Sequence, residues 1–245
     1  MSVTRRLFHL IAVLAFLLGP SPARAGETKA VIELFTSQGC SSCPAADRLL
    51  GELAMDKQLL ALSLPVDYWD YLGWRDTLAL NVHSVRQKVY AESRGDRQVY
   101  TPQVVINGVA QAIGSDQNAI ERTVAKAEAI SRLTVPVALK RSGDNVEIEV
   151  GAAAGVPASI WVLAVTRATP VAITRGENRG KTITYHNVVR SWTRVGEWTG
   201  KPVRTSLPVA ALATMGADVA VILIQQAGSV DEPGRISGAA MLSLH

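Results

Sequence analysis

The chain has 245 residues, of which 48% are hydrophobic and 19% are charged, and its formal net charge is +4. This composition supports a packed core and excludes wholesale disorder, while two cysteines are too few for a disulfide scaffold or for a four-thiolate zinc site in one chain. Arg5, Arg6 and Arg24 lie in the first 25 residues, which contain no acid, so the remainder is nearly neutral and we expect no nucleic-acid partner.

Residues 1–25 have the three-part pattern of a secretory signal peptide. Met1–Arg6 is short and basic, Leu7–Gly19 is an apolar run of 13 residues, and Ala23-Arg24-Ala25 fits a cleavage site. The less favoured alternative, a membrane anchor, needs about 20 apolar residues. We therefore predict that the mature protein is periplasmic or secreted and has no stable membrane span after the signal peptide is removed.

Residues 26–132 alternate between strand and helix patterns, in the order strand, helix, strand, helix, strand, strand, helix. The first two strands should be parallel because a helix joins them, whereas Asn107-Gly108 predicts an antiparallel hairpin between the last two. In the second helix, apolar residues recur every three or four positions, at Leu78, Val82, Val85 and Val89. The predicted strands are Lys29–Phe35, Leu59–Val66, Gln103–Ile106 and Val109–Ile113, and the predicted helices are Pro44–Met55, Thr77–Ser93 and a last one from Ser115-Asp116 to about Ser131.

An aromatic segment, Asp67–Trp74, follows the second predicted strand at its carboxyl end. In open α/β sheets that end carries the functional site. This segment, with Trp69 in it, is predicted either to form one wall of a substrate cleft or to be a packed cover under the second half of the chain.

From about Leu133 the pattern changes to many short strands separated by Gly or Pro turns. Strands at this spacing are typical of a β-sandwich, so we predict a domain boundary near residue 133 and an all-β sandwich-like domain over 133–245. Only Leu207–Thr214 has a helical pattern. The predicted strands are Val135–Lys140, Asn145–Val150, Ser159–Thr166, Lys181–Tyr185, Asn187–Val195, Val203–Leu207, Asp218–Gln226 and Arg235–Leu242.

Both cysteines occur in one motif, Cys40-Ser41-Ser42-Cys43, between the first predicted strand and the first predicted helix. A thiolate at a helix N-terminus faces unpaired backbone N–H groups and the positive end of the helix dipole, and both lower its pKa. We therefore expect the pKa of Cys40 to lie below its free value of about 8.5, and Cys43 to be more buried and less acidic. Cys40 would attack a partner disulfide, and Cys43 would resolve the mixed disulfide.

The order of elements over residues 29–131, with the Cys-x-x-Cys motif at the start of a helix, resembles the thioredoxin and glutaredoxin superfamily. The segments VIELFTSQGCSSCPAADRLL, VDYWDYLGW, YTPQVVINGVAQAIGS and GENRGKTITYHNVVR further resemble a bacterial family of secreted thioredoxin-like proteins of unknown function. The resemblance implies an α/β thioredoxin-like domain followed by the all-β sandwich-like domain. The central Ser-Ser differs from the Gly-Pro of thioredoxin, which leaves the direction of electron flow open.

Two more site features follow from this resemblance. It implies a cis peptide bond at Thr101-Pro102, beside the two sulfurs, with Thr101 offering backbone groups to an extended substrate chain. It also implies a proton-carrying role for Glu33, the only acid in the first predicted strand, because a buried carboxylate has a raised pKa. The alternatives for Glu33 are a position at the edge of the strand or an ion pair with a base such as Arg48.

The favoured prediction is thiol–disulfide exchange outside the cytoplasm, with no dissociable cofactor and with a protein or small-molecule thiol or disulfide as partner. Three alternatives stay open. The cysteines could form a permanent structural bridge, although closing so short a loop removes little chain entropy. The two thiolates could hold Cu(I), with His83 as the histidine able to approach, although no Met cluster accompanies them. The chain could also be a non-catalytic interaction protein.

Overall fold

The structure is a computed structural model that describes residues 28–213, 216–226 and 233–245. The predicted signal peptide, residues 1–25, lies outside these ranges and stays a prediction. In the part of the chain that the structure describes, no helix is both long enough and apolar enough to span a membrane.

The protein is mixed α/β, and its elements follow the predicted order closely. The first half contains β1 (Ala30–Thr36), α1 (Cys43–Leu53), β2 (Leu59–Pro65), α2 (Asn81–Arg94), β3 (Gln103–Ile106), β4 (Ala110–Ile113) and α3 (Gln117–Ile130), with a short 3-10 helix at Asp70–Leu72 between β2 and α2. The second half contains β5 (Val137–Ser142), β6 (Asn145–Val150), β7 (Ala158–Ala172), β8 (Thr182–Trp198), β9 (Val203–Pro208), α4 (Val209–Ala213), β10 (Val219–Gln225) and β11 (Ile236–Ser243).

Eight strands form one large sheet, in the order β11-β10-β7-β8-β2-β1-β3-β4. Within it β1 is parallel to β2, antiparallel to β3, and β3 is antiparallel to β4. These directions confirm the predictions from the joining helix and from the Asn107-Gly108 turn. Both turn residues have positive φ, 50° and 71°, as a two-residue hairpin of this kind requires.

The two halves of the chain join where β8 pairs in parallel with β2, at Ser63 and Val188. Beside this contact, buried Asn187 donates from Nδ2 to the carbonyl oxygen of Ala61 at 2.9 Å. Asn187 has a φ of 47°, which Asn tolerates better than most residues. The prediction of two separate strands in this region, Lys181–Tyr185 and Asn187–Val195, is therefore wrong, because β8 continues through the irregular residue.

The large sheet continues past residue 133, and the domain boundary proposed there stays a prediction. The remaining strands form a small sheet, in the order β5-β6-β9. Its buried side chains alternate along β6 and pack against one face of β7 and β10, as in two facing sheets. This core contains Val146, Ile148, Val150, Ile160, Val162, Ala220 and Ile222.

The two faces of β1 are covered by different helices. Ile32 and Leu34 pack in the cluster that includes residues of α1 and α3, whereas Val31 and Phe35 pack with Tyr90 of α2. Strand alternation places Glu33 on the same face as Val31 and Phe35. The apolar face predicted for the second helix is wrong, because Val82, Val85 and Val89 are partly exposed and the buried residues of α2 are His83, Arg86, Gln87, Tyr90 and Ala91.

Candidate functional site

The Cys-x-x-Cys motif lies between β1 and α1, and Cys43 is the first residue of α1. Cys40 and Cys43 form a disulfide with a Cα–Cα distance of 5.4 Å. Pro44 stands at the start of the helix, where its missing N–H has no cost. The expected contrast in burial is absent, because Cys40 is 1% exposed and Cys43 is 0% exposed.

The hydroxyl of Ser42 is directed at the motif rather than at the helix. Ser42 is the N-cap residue of α1, yet its side chain makes no capping hydrogen bond. Its Oγ lies 3.3 Å from Cys40 Sγ and 3.5 Å from the carbonyl oxygen of Thr101. A hydroxyl in this place can donate to a Cys40 thiolate and favour the charged form.

The residues expected to shape a substrate cleft lie together beside the motif. The Thr101-Pro102 peptide bond is cis, which confirms that prediction. Trp69 donates from Nε1 to Thr101 Oγ1 at 2.8 Å. A Cβ at Gly39 would lie 3.1 Å from Trp69 Cβ, so the glycine permits the close approach of the aromatic segment to the motif. The contacts of the segment agree with both interpretations: Trp69 lies against Thr101, whereas Trp74 packs against a cluster of the second half that contains Ile173 and Ile183.

A buried acid that the sequence analysis missed, Asp76, holds the chain just before Cys40. Its Oδ2 accepts the backbone N–H of Gln38 at 2.8 Å, and its Oδ1 accepts the N–H groups of Leu78 and Ala79. Burial raises the pKa of Asp76 to about 6, although these hydrogen bonds act in the opposite direction. This carboxyl connects the loop after β1 to the segment before α2.

The hairpin between β7 and β8 contacts the motif from the second half of the chain. Buried Asn178 donates from Nδ2 to the carbonyl oxygens of Gln38 and Cys40, at 2.9 and 2.8 Å. Glu177 Oε2 accepts the backbone N–H of Ser41 at 3.2 Å. The sequence analysis assigned no chemistry to this half, and a single sequence carries no signal that joins residues so far apart.

Glu33 is fully buried, but the structure does not bring it to the cysteines. It faces the side of β1 opposite α1, and the Arg86 Nε lies 2.8 Å from its Oε1. Tyr90 donates to Glu33 Oε2 at 2.7 Å. The alternative of an ion pair is correct in kind, but the base is Arg86, because Arg48 is exposed and faces Glu52 at 3.8 Å.

The acid that does lie on the cysteine side is Asp47, in α1 and 1% exposed. Thr36 donates from Oγ1 to Asp47 Oδ1 at 2.7 Å. Asp47 Oδ2 is buried and has no hydrogen-bond partner among the described residues. Burial raises the pKa of Asp47 to about 8, and the nearby carboxylate of Asp76 adds to this rise. An acid at a core-facing position of an amphipathic helix is a sequence signal that could have identified it.

His83 is buried in the core, where both of its ring nitrogens have polar partners. Its Nδ1 lies 2.9 Å from the carbonyl oxygen of Pro65, and Trp192 donates from Nε1 to its Nε2 at 3.3 Å. Burial lowers the pKa of His83 to about 3, so it is neutral. Among the described residues, no group of three or more His, Cys, Asp or Glu side chains is arranged to hold a metal ion.

Comparisons with known proteins give a family and a fold. The family described as "Protein of unknown function (DUF1223)" matches residues 31–225. A crystal structure of a protein from Agrobacterium tumefaciens, a structural genomics target, is 37% identical with a TM-score of 0.78, over 89% of this chain and 95% of that one. HBP35 of Porphyromonas gingivalis shares 12% identity and a TM-score of 0.57, over 89% of this chain and 76% of that one, which is a likeness of fold alone. No curated protein matches the chain.

Proposed function

The chain belongs to the DUF1223 family of proteins of unknown function, and we propose that it is a thiol–disulfide oxidoreductase that acts outside the cytoplasm through Cys40 and Cys43. The observation that carries this proposal is the pairing of both cysteines at disulfide distance where α1 begins, with the Ser42 hydroxyl 3.3 Å from Cys40 Sγ. That position provides the helix dipole and one hydroxyl donor for a Cys40 thiolate.

The proposal includes a thioredoxin-like arrangement for the first half of the chain. In support, the strand order β2-β1-β3-β4, with β1 and β2 parallel and β3 and β4 antiparallel to their neighbours, is the order of that fold. The helices α1, α2 and α3 stand at the corresponding points of the chain. The periplasmic or secreted location rests on the signal-peptide pattern of residues 1–25.

In the reducing direction, the Cys40 thiolate attacks one sulfur of a partner disulfide and releases the first partner thiolate. Cys43 then attacks Cys40 Sγ, the bond from Cys40 to the partner breaks, and the second partner thiolate leaves. The partner disulfide gains two electrons, and the cysteine pair loses two and closes as a disulfide. The opposite direction reverses each step.

The partner would bind beside Thr101. The carbonyl oxygen of Thr101 lies next to the motif, and from the described residues it accepts one long contact, from Ser42 Oγ at 3.5 Å. An extended partner chain could pair with this backbone, as in β-strand addition. Because Cys40 is 1% exposed, the partner reaches its sulfur only when the covering segments around Trp69 or Asn178 move.

The test is a redox titration of the purified mature protein, equilibrated in glutathione buffers of known ratio. A reduction potential above about −300 mV is expected for a working couple, and one well below it means a structural bridge and overturns the proposal. A parallel assay follows reduction of a disulfide-linked fluorescent peptide by the dithiothreitol-reduced protein. Wild-type protein should be active and Cys40→Ser inactive, whereas Cys43→Ser should accumulate the mixed disulfide.

A further inference from the structure

A groove of about 710 Å³ runs along helix α1, and the start of β8 forms its other wall. It begins at Pro44, the residue that follows Cys43, and it ends at Met55, which is 82% exposed. At about 1.5 Å per helical residue, these two positions lie about 16 Å apart, which is the length of about five residues of extended chain. The groove therefore has the length and the position to hold a segment of polypeptide that leads to the cysteines.

Both halves of the chain build this groove. Gly51 of α1 permits the close approach of β8, because a Cβ at this position would lie 2.7 Å from Cδ2 of His186. Along the wall from β8, Thr182 and Thr184 are exposed, whereas Ile183 between them is buried. This alternation is that of a strand with one solvent face. The groove thus exists only because the second half of the chain packs along α1, and its strand wall presents hydroxyl groups.

The charges that line the groove are mostly positive. Arg48 and Lys181 line it, against one acid, Glu52. Arg48 Nη1 lies 3.8 Å from Glu52 Oε1, and the two side chains are 76% and 61% exposed. An exposed pair at this distance is weak, so Arg48 can still attract an anionic group from a partner.

The turn between β7 and β8 does not oppose this charge. It contains Arg175, Glu177 and Arg179, which are all exposed, and Glu177 Oε2 already accepts the backbone N–H of Ser41 at 3.2 Å. The groove and the turn together have four basic and two acidic residues. Three of the 25 Lys and Arg residues lie in the first 25 positions, so the rest of the chain has 22 against 21 acids. The positive charge is therefore concentrated on this side of the motif, where it attracts anionic partners.

Lys181 connects the groove to the cover over Cys40. Its Nζ donates to Asn178 Oδ1 at 2.9 Å, and Asn178 Nδ2 donates to the carbonyl oxygen of Cys40 at 2.8 Å. A carboxylate bound beside Lys181 would compete with Asn178 Oδ1 for the ammonium group. Binding of an acidic segment in the groove would therefore loosen the side chain that covers Cys40.

We propose that this groove binds the segment that flanks the reactive cysteine of the disulfide partner, and that it selects an extended segment with acidic side chains. The carboxylates of the partner pair with Arg48 and Lys181, the hydroxyls of Thr182 and Thr184 donate to them, and an apolar side chain at the far end packs on Met55. Such charge complementarity speeds association with acidic partners and disfavours basic ones. This inference rests on the proposed function and names its partner class, a protein or peptide whose cysteine is flanked by Asp or Glu.

The first test measures binding without disulfide chemistry. The probe is a fluorescein-labelled peptide, Leu-Glu-Asp-Ser-Asp-Glu-Leu, in which Ser replaces the cysteine and the symmetry removes any choice of chain direction. Fluorescence anisotropy with the oxidised mature protein should show binding about tenfold tighter than for the matched Gln and Asn peptide at low salt. The difference should disappear near 1 M salt, where the screening length falls to about 3 Å. Equal affinity for the two peptides at low salt would overturn the proposal.

Charge variants locate the binding surface. Arg48→Glu and Lys181→Glu should each weaken binding of the acidic peptide about fivefold, whereas Arg48→Lys should retain most of it and Glu52→Gln should strengthen it. Arg122→Glu, which reverses an exposed cation on α3, is the matched control and should leave the affinity unchanged. An equal loss in Arg122→Glu and Arg48→Glu would mean that the peptide responds to net charge alone, and it would refute the groove as the site.

The second test compares exchange kinetics with peptide disulfides that have acidic or neutral flanking residues. Wild-type protein should favour the acidic substrate about tenfold in kcat/KM, mainly through KM, and Lys181→Glu should reverse the preference. The two proposals fail in different ways. If wild-type protein exchanges both substrates with equal kcat/KM, the groove assignment alone fails. If wild-type protein exchanges neither, the proposed function fails, and the groove is then not a substrate site even if it binds the acidic peptide.

Discussion

Asn178 Nδ2 donates a hydrogen bond to the carbonyl oxygen of Cys40 at 2.8 Å, although 138 residues separate them in the chain. The Asn178 side chain is fully buried and belongs to the hairpin between β7 and β8. These two strands are long, at 15 and 17 residues, and the hairpin that connects them reaches the motif. The second half of the chain thereby forms part of the site.

We predict that Asn178→Ala speeds the reduction of the Cys40–Cys43 disulfide by dithiothreitol. The substitution removes the hydrogen bonds to Gln38 and Cys40, each contributing about 1 kcal/mol, so the cover over Cys40 opens more often. Reduction rates of oxidised protein, followed by thiol release, measure the effect. Arg175→Ala, exposed on the same hairpin, is the control, and equal rates in both variants and wild type would refute the prediction.

Ser42→Ala should raise the pKa of the Cys40 thiol in the reduced protein. The lost hydroxyl lies 3.3 Å from Cys40 Sγ and favours the thiolate by donating to it. The pH dependence of iodoacetamide alkylation of Cys40 reports this pKa. Ser41→Ala is the control. It removes the neighbouring hydroxyl but keeps the backbone N–H that Ser41 donates to Glu177, and it should leave the Cys40 pKa unchanged. A Ser42→Ala profile that overlays the wild-type profile would contradict the role given to this hydroxyl.

Glu33→Gln is expected to destabilise the fold without altering the pH profile of exchange. Removing the carboxylate takes away the buried ion pair between Glu33 Oε1 and Arg86 Nε, and removing one partner of a buried pair costs about 3–5 kcal/mol. Urea denaturation measures the loss in the free energy of unfolding. Exchange by the folded fraction should keep the wild-type pH profile, because Glu33 faces away from α1. A shifted profile would restore Glu33 as the proton carrier.

The stability of the oxidised protein should fall as pH rises from about 4 to about 8. Burial raises the Asp47 pKa from 3.8 to about 8, so in this window the unfolded chain is ionised while the folded chain keeps the proton. The free energy of unfolding then decreases by about 1.4 kcal/mol for each pH unit within the window. Below the pKa that Asp47 has in the unfolded chain, Asp47 contributes its full stabilisation of the fold. This stabilisation is lost as the pH rises through the pKa that Asp47 has in the folded protein.

Asp47→Asn should therefore flatten this pH dependence and raise stability at pH 8 more than at pH 4. Asp76 has a pKa raised in the same direction, to about 6, so part of the slope remains in the variant. The free energy of unfolding in urea, measured at several pH values for both proteins, provides the comparison. Parallel curves for wild type and variant would show that Asp47 does not titrate as the structure indicates.

Much of the local structure was predictable from the sequence. Short apolar, β-rich runs identified the strands of the first half, and the helix between the first two strands and the Asn107-Gly108 turn indicated their directions, because these signals depend on neighbouring residues. The Cys40–Cys43 motif was correctly placed between a strand and a helix. The helix α1 also contained enough periodicity to reveal Asp47 on its buried face, although the acid was overlooked.

The sequence by itself determined which segments are strands or helices and where the two cysteines stand. Only the tertiary structure decided which polar groups meet. The buried face of α2 carries Arg86 because Glu33 of β1 lies opposite, which overrides the apolar periodicity of that helix. Asn178 reaches Cys40 because β8 joins β2 and continues the sheet. Such pairings depend on contacts between segments far apart in the chain, whereas backbone preference and hydrophobic periodicity act only over neighbouring residues.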